Sequence, residues 1–130
     1  MDTTVRAAGP TDITRIAHLI EEIEGYYGST DIQPLEQRVT QVEEALFGPQ
    51  PLASALLAED EHGEVLGFAA YSFLWPAAGS THSLFLKELY VREVARRRGV
   101  GAALMDAIRL VSAPRERRWP RGVRPARRQR

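Results

Sequence analysis

Between Ile13 and Tyr26 apolar residues return every third or fourth position: Ile13, Ile16, Ala17, Leu19, Ile20, Ile23 and Tyr26. That is the period of one helix face, and it predicts an amphipathic helix over about 11–27. Glu21, Glu22 and Glu24 fall on its polar side. A short strand is expected before it, at Val5-Arg6-Ala7-Ala8, broken by Gly9-Pro10; Thr11 or Asp12 can then cap the helix. Gly28-Ser29-Thr30-Asp31 ends it. A second helix is predicted from Pro34, a good first-turn residue, to Phe47, with Val39, Val42, Ala45 and Leu46 inward. Gly48-Pro49-Gln50-Pro51 stops that helix, and the pattern then changes. Leu52 to Ala58 is apolar, short and tightly bounded, which favours a strand. A polar turn follows over Glu59–Glu64, then a strand from Val65 to Leu74 and a loop from Trp75 to Thr81. Ser83 to Arg92 is the next strand, and Gly99 to about Val111 the last helix. The order is strand, helix, helix, three strands, helix. This predicts an α/β fold with a mixed sheet flanked by helices.

At 130 residues the chain is long enough for one domain with a real core. It has no cysteine, so disulfides, thiolate metal sites and a cysteine nucleophile are excluded. No apolar run approaches the roughly 18 residues needed to span a bilayer. The start, Met-Asp-Thr-Thr-Val-Arg, lacks the basic end and apolar stretch of a signal peptide. A cytoplasmic protein without a membrane partner is expected. The net charge is zero, yet residues 1–112 hold 9 Arg or Lys against 16 Asp or Glu, net −7. Residues 113–130 hold 8 Arg against one Glu, net +7. An acidic body suits a cationic substrate, although a solvated surface has the same composition.

One stretch carries recognisable chemistry. From Leu84 to Ile108 the sequence runs as a strand, a basic turn with two glycines, and a helix. Small residues let a backbone approach an anion, successive N–H groups point at it, and the helix dipole adds favourable potential. Within the stretch, Arg96-Arg97-Arg98-Gly99-Val100-Gly101 resembles the Arg/Gln-x-x-Gly-x-Gly/Ala signature of the GCN5-related N-acetyltransferases. Val5 to Asp12 is similar to that family's opening strand and helix start. Val65-Leu66-Gly67-Phe68 is similar to its third strand, and Leu86-Lys87-Glu88-Leu89-Tyr90-Val91 to the strand before the turn. The resemblance covers roughly residues 3–111 and is nearest to the spermidine/spermine acetyltransferase-like branch.

The resemblance implies a central, mostly antiparallel sheet and acetyl transfer from acetyl-CoA to a primary amine of a small molecule, without a covalent enzyme intermediate. It implies that Leu89, Tyr90 and Val91 hold the pantetheine arm and polarise the thioester. Arg96, Arg97, Arg98, Gly99, Val100, Gly101 and Ala102 are implied as the pyrophosphate cradle. Glu88 is implied as the general base that relieves the ammonium of its proton, and also as a substrate contact. Its alternative role is a solvated strand residue or a partner of Lys87. Lys87 stands where the branch has a second acidic residue; strict alternation puts it on the face opposite Glu88. Tyr26 aligns with a tyrosine near the branch's substrate groove, against a plain reading as core packing. Glu22 and Glu24 read as solvated helix surface. His18 and His62 have no ligand-spaced partner, and no metal is expected.

After Val111 the pattern departs from the family. The family continues with a further strand and a helix whose tyrosine protonates the departing thiolate. Here no tyrosine follows Tyr90, and the chain has no asparagine. Residues 1–112 therefore read as the acetyltransferase domain, truncated after its third helix, and 113–130 as an Arg/Pro-rich tail. That tail reads as disordered or as an out-of-frame segment of a GC-rich gene. Two other functional readings stand beside the enzyme: a catalytically impaired CoA-binding remnant or interaction module, and a basic-tailed nucleic-acid-associated protein. The favoured partners are acetyl-CoA, a small amine and a second copy of the chain, with nucleic acid not expected.

Overall fold

The computed structural model describes residues 2–113, so the expected basic tail lies outside the described residues apart from Ala113. Its elements, in chain order, are β1 (Thr4–Ala7), α1 (Ile13–Tyr26), α2 (Leu35–Phe47), β2 (Ser54–Glu59), β3 (Val65–Leu74), β4 (Ser83–Val91) and α3 (Val100–Ser112). Short 3-10 turns precede α1 and α3, at Pro10–Asp12 and Glu93–Ala95. They fall into two compact units. One contains the four strands and α3; the other, Ala8–Ala53, contains α1 and α2.

In the sheet unit the strands run β1-β2-β3-β4, and each neighbouring pair is antiparallel. The expected α/β fold is the one adopted. Alternation along the paired strands puts Val5, Leu56, Ala58, Ala69, Tyr71 and Val91 on one face. That face packs against Val100, Leu104, Ala107, Ile108 and Val111 of α3, forming the core of the unit. The approach of α3 is close because residue 67 is glycine. A Cβ there would stand 2.9 Å from the Tyr90 carbonyl oxygen, 3.1 Å from Val100 and 3.2 Å from Leu104. Leu57, Phe68 and Tyr90, on the other face, are also buried. Arg6 bridges the edge of β1 to β2 through a two-pronged contact with Glu59, at 2.7 and 3.1 Å.

The polar turn between β2 and β3 forms where the sequence places it. The Asp60 carboxylate accepts the His62 and Glu64 N–H groups at 2.8 and 3.0 Å, and Gly63 has φ +79°. β2 starts two residues later than expected. The N–H groups of Leu52 and Ala53 donate to the Ala45 carbonyl instead, so these residues close the helical unit, and Leu52 is exposed.

In the helical unit α1 packs against α2. Ile13, Ile16, Ala17, Leu19 and Ile23 are buried as their spacing predicts. Tyr26 departs from that stripe and is 58% exposed. Asp12 turns back rather than forward: its carboxylate accepts the Gly9 N–H at 2.8 Å and closes the 3-10 turn. Pro34 sits just outside α2, at its N-cap. The periodicity also hides a buried charge. Arg38 is 3% exposed, and its guanidinium donates to Glu24 at 2.7 Å. Glu24 is therefore the partner of a buried cation rather than plain solvated surface. Among the described residues no helix is long and apolar enough to cross a membrane.

Candidate functional site

β4 is a regular strand with one irregularity. Its register against β3 pairs Glu88 with Ala70 but Leu86 with Tyr71, which leaves Lys87 as an extra, bulged residue. Strict alternation along β4 is therefore broken at Lys87. Leu84, Leu86, Leu89 and Val91 share the α3 face, whereas Phe85, Glu88 and Tyr90 share the other. Glu88 stands half-buried, two residues from the buried Tyr90 and opposite Ala70. The bulge was not legible from sequence, because it is a property of the pairing with β3 and not of the β4 letters.

The backbone of β4 has two edges. Arg92 N–H donates to the Leu66 carbonyl at 2.9 Å, so the N–H and C=O groups of Tyr90 and Arg92 point toward β3. By the same alternation those of Leu89 and Val91 point away from it. The Val91 carbonyl accepts a bond from Arg96 Nε at 3.0 Å.

Beyond β4 the chain makes a tight, anchored turn. Ala95 is fully buried in the core of the sheet unit, and its N–H donates to the Arg92 carbonyl at 2.8 Å. The Arg96 guanidinium carbon lies 5.8 Å from the centre of the Tyr90 ring, a cation–π distance. Arg97 then takes φ +67°, a left-handed conformation uncommon outside glycine. Gly99 repeats it at φ +79° and caps α3. Arg97, Arg98 and Gly99 are exposed.

α3 begins at Val100, and Ala103 N–H makes a helix bond back to the Gly99 carbonyl at 3.0 Å. The N–H groups of Val100, Gly101 and Ala102 precede it, which makes this end of the helix a donor cluster at the positive end of the dipole. Space exists for an anion there. A Cβ on Gly99 would meet nothing within 4 Å, and one on Gly101 would make only an ordinary 3.6 Å contact with Val91. Packing thus gives no reason for glycine at 101, whereas close approach by a ligand does. The residues present fit a pyrophosphate.

The structure brings Glu88, Leu89, Tyr90, Val91 and the run Arg96–Ala102 into one strand–turn–helix element of the sheet unit. Tyr26 lies in the helical unit, at the end of α1, edge-to-face with Tyr27 at 5.3 Å. Among the described residues no group of three or more His, Cys, Asp or Glu side chains gathers as a metal site would.

The family model for the acetyltransferase (GNAT) family matches residues 16–113. Solved structures share the architecture. An integron cassette protein from the mobile metagenome of V. cholerae superposes with a TM-score of 0.73 at 24% identity, over 84% of this chain and 67% of its own. A ribosomal-protein-alanine N-acetyltransferase from Brucella melitensis biovar Abortus 2308 gives 0.69 at 19% identity, over 84% and 71%. A predicted acetyltransferase from Clostridium acetobutylicum, solved with acetyl-CoA, gives 0.62 at 15% identity, over 81% and 70%. At these identities the likeness shows the fold.

Proposed function

Because the chain belongs to the acetyltransferase (GNAT) family, we propose that it transfers the acetyl group of acetyl-CoA to a primary amine of a small molecule. A polyamine, a diamine or an amino-acid-like amine is the acceptor class. The observation that carries this reading is the β4–turn–α3 element, with its outward strand edge, two left-handed turn residues and helix N-terminus in one continuous run.

Acetyl-CoA supplies the activated thioester, and the chain's residues do the rest. The outward N–H groups of Leu89 and Val91 suit an amide-bearing arm and a polarised carbonyl. The turn from Arg96 to Ala102 suits the pyrophosphate, mostly through backbone N–H groups and the dipole of α3. Glu88 takes the proton of the acceptor ammonium, directly or through water, since only the neutral amine can attack. The C–N bond forms as the C–S bond breaks, and the second proton of the acceptor nitrogen passes through water to the departing thiolate. Tyr26, exposed at the end of α1, is a candidate acceptor contact. The net −7 charge of residues 1–112 favours a cationic acceptor.

Thiol release from acetyl-CoA, measured with spermidine, short diamines, lysine analogues and amino-acid amides, tests the reading. Amine-dependent release with at least one of them supports it. Tight CoA binding with no release from any would leave the cofactor site and remove the enzyme. We further infer a homodimer, supported by the exposed Phe73, Leu74, Trp75 and Phe85 around the β3–β4 connection. Sedimentation equilibrium should give twice the 14.5 kDa chain mass; a monomer at micromolar concentration refutes it.

A further inference from the structure

We propose that Arg96 acts on the cofactor site as a positioning residue, pinning the turn, and not as a ligand of the phosphates. The inference rests on the cofactor reading above, and it changes the role of the first signature arginine.

Three observations meet at this side chain. Its Nε–H donates to the Val91 carbonyl at 3.0 Å, on the edge of β4 that points away from β3. Its guanidinium lies 5.8 Å from the centre of the Tyr90 ring. Both partners belong to the last two residues of β4, so the orientation of the guanidinium is set by the strand. Third, the residue after it is Arg97 at φ +67°. A non-glycine residue holds that conformation when the surrounding structure determines it. Upstream, the turn is fixed by the buried Ala95 and by the Arg92 N–H on Leu66. Arg96 supplies the fixed point nearest the exposed run Arg97–Gly99, where the chain must turn into α3. Losing it would let the donor cluster at Val100–Ala102 sample orientations in which its N–H groups no longer converge. The cofactor would then have to order the turn on binding.

Glutamine separates this role from a charge role. Its side-chain nitrogen occupies the position of the arginine Nε, so Arg96→Gln keeps the donor and removes the charge, whereas Arg96→Leu removes both. CoA is titrated calorimetrically into the full chain and both variants at two salt concentrations. Hydrogen exchange of the amides of 97–102 is followed in the absence of CoA. Arg96→Gln is expected to bind within about threefold of wild type and to keep the same salt dependence. Arg96→Leu is expected to bind about tenfold more weakly, the loss of one hydrogen bond. Only Arg96→Leu should show faster exchange in the turn. Equal losses in the two variants, or no loss in Arg96→Leu, overturn the proposal. Failure of the wild-type chain to bind CoA at all overturns the cofactor reading instead; the exchange comparison then still decides whether Arg96 holds the turn.

Discussion

Glu88 and Tyr90 lie on one face of the sheet, with Glu88 half-buried and Tyr90 buried. Glu88→Gln should lower kcat by about a hundredfold while leaving CoA affinity unchanged, as expected for a general base. Thiol-release kinetics together with CoA titration check it, and an unchanged kcat assigns Glu88 to the solvated strand surface. Tyr71, on the opposite face, has a different character. Burial pushes its hydroxyl above the ordinary 10.0, and a hydrogen bond with Ser54 partly offsets the shift. A raised pKa in the folded state means the neutral form is favoured there. The resulting stability is fully present below pH 10 and is lost as pH rises through the folded value. Urea midpoints should therefore fall above pH 10 in wild type and fall less in Tyr71→Phe; parallel curves contradict this. Arg38 shows where residue-scale reading stops. Its position in α2 carries no signal for burial, and only the geometry of α1 against α2 brings Glu24 to it.

At the scale of elements, three glycines of the sheet unit do three different things. Gly67 admits α3 onto the sheet, Gly99 takes a left-handed backbone, and Gly101 leaves space at the helix end. Gly67→Ala places a methyl 2.9 Å from a backbone oxygen that cannot rotate away. It should destabilise the protein by about 1–3 kcal/mol through overpacking, read as a lower melting temperature with an unchanged helix signal. An unchanged melting temperature contradicts the close packing of α3 on β3. The elements themselves were largely legible. Val65–Leu74 matches its predicted span, and the helix at Ile13–Tyr26 follows its 3.6-residue period because both are dictated by local apolar spacing. The bulge at Lys87 was not legible, and it reverses the expected relation of Leu86 to Glu88. The start of β2 differs from its expected position for a related reason: Leu52 and Ala53 donate to a helix carbonyl, a partner that strand propensity does not register.

For the whole molecule, the acidic sign of residues 1–112 contrasts with the cluster of arginines in the 92–98 turn. On the proposed function an anionic cofactor would meet the turn and a cationic acceptor the acidic body, so salt should weaken both associations. Every residue expected for the cofactor lies in one unit and one continuous segment, so that expectation could be drawn from a single stretch of sequence. The acceptor side could not. Tyr26, expected there from the resemblance, is exposed at the end of α1, which follows from tertiary packing rather than from spacing. The central claim is that the β4–turn–α3 element binds CoA, and calorimetric titration of CoA into the wild-type chain and Gly101→Val tests it most directly. A Cβ at 101 is accommodated at 3.6 Å from Val91, so the variant should keep its circular dichroism spectrum. One CoA per wild-type chain and no detectable binding to the folded variant is the predicted result; no heat with wild type, or equal binding by both proteins, contradicts it.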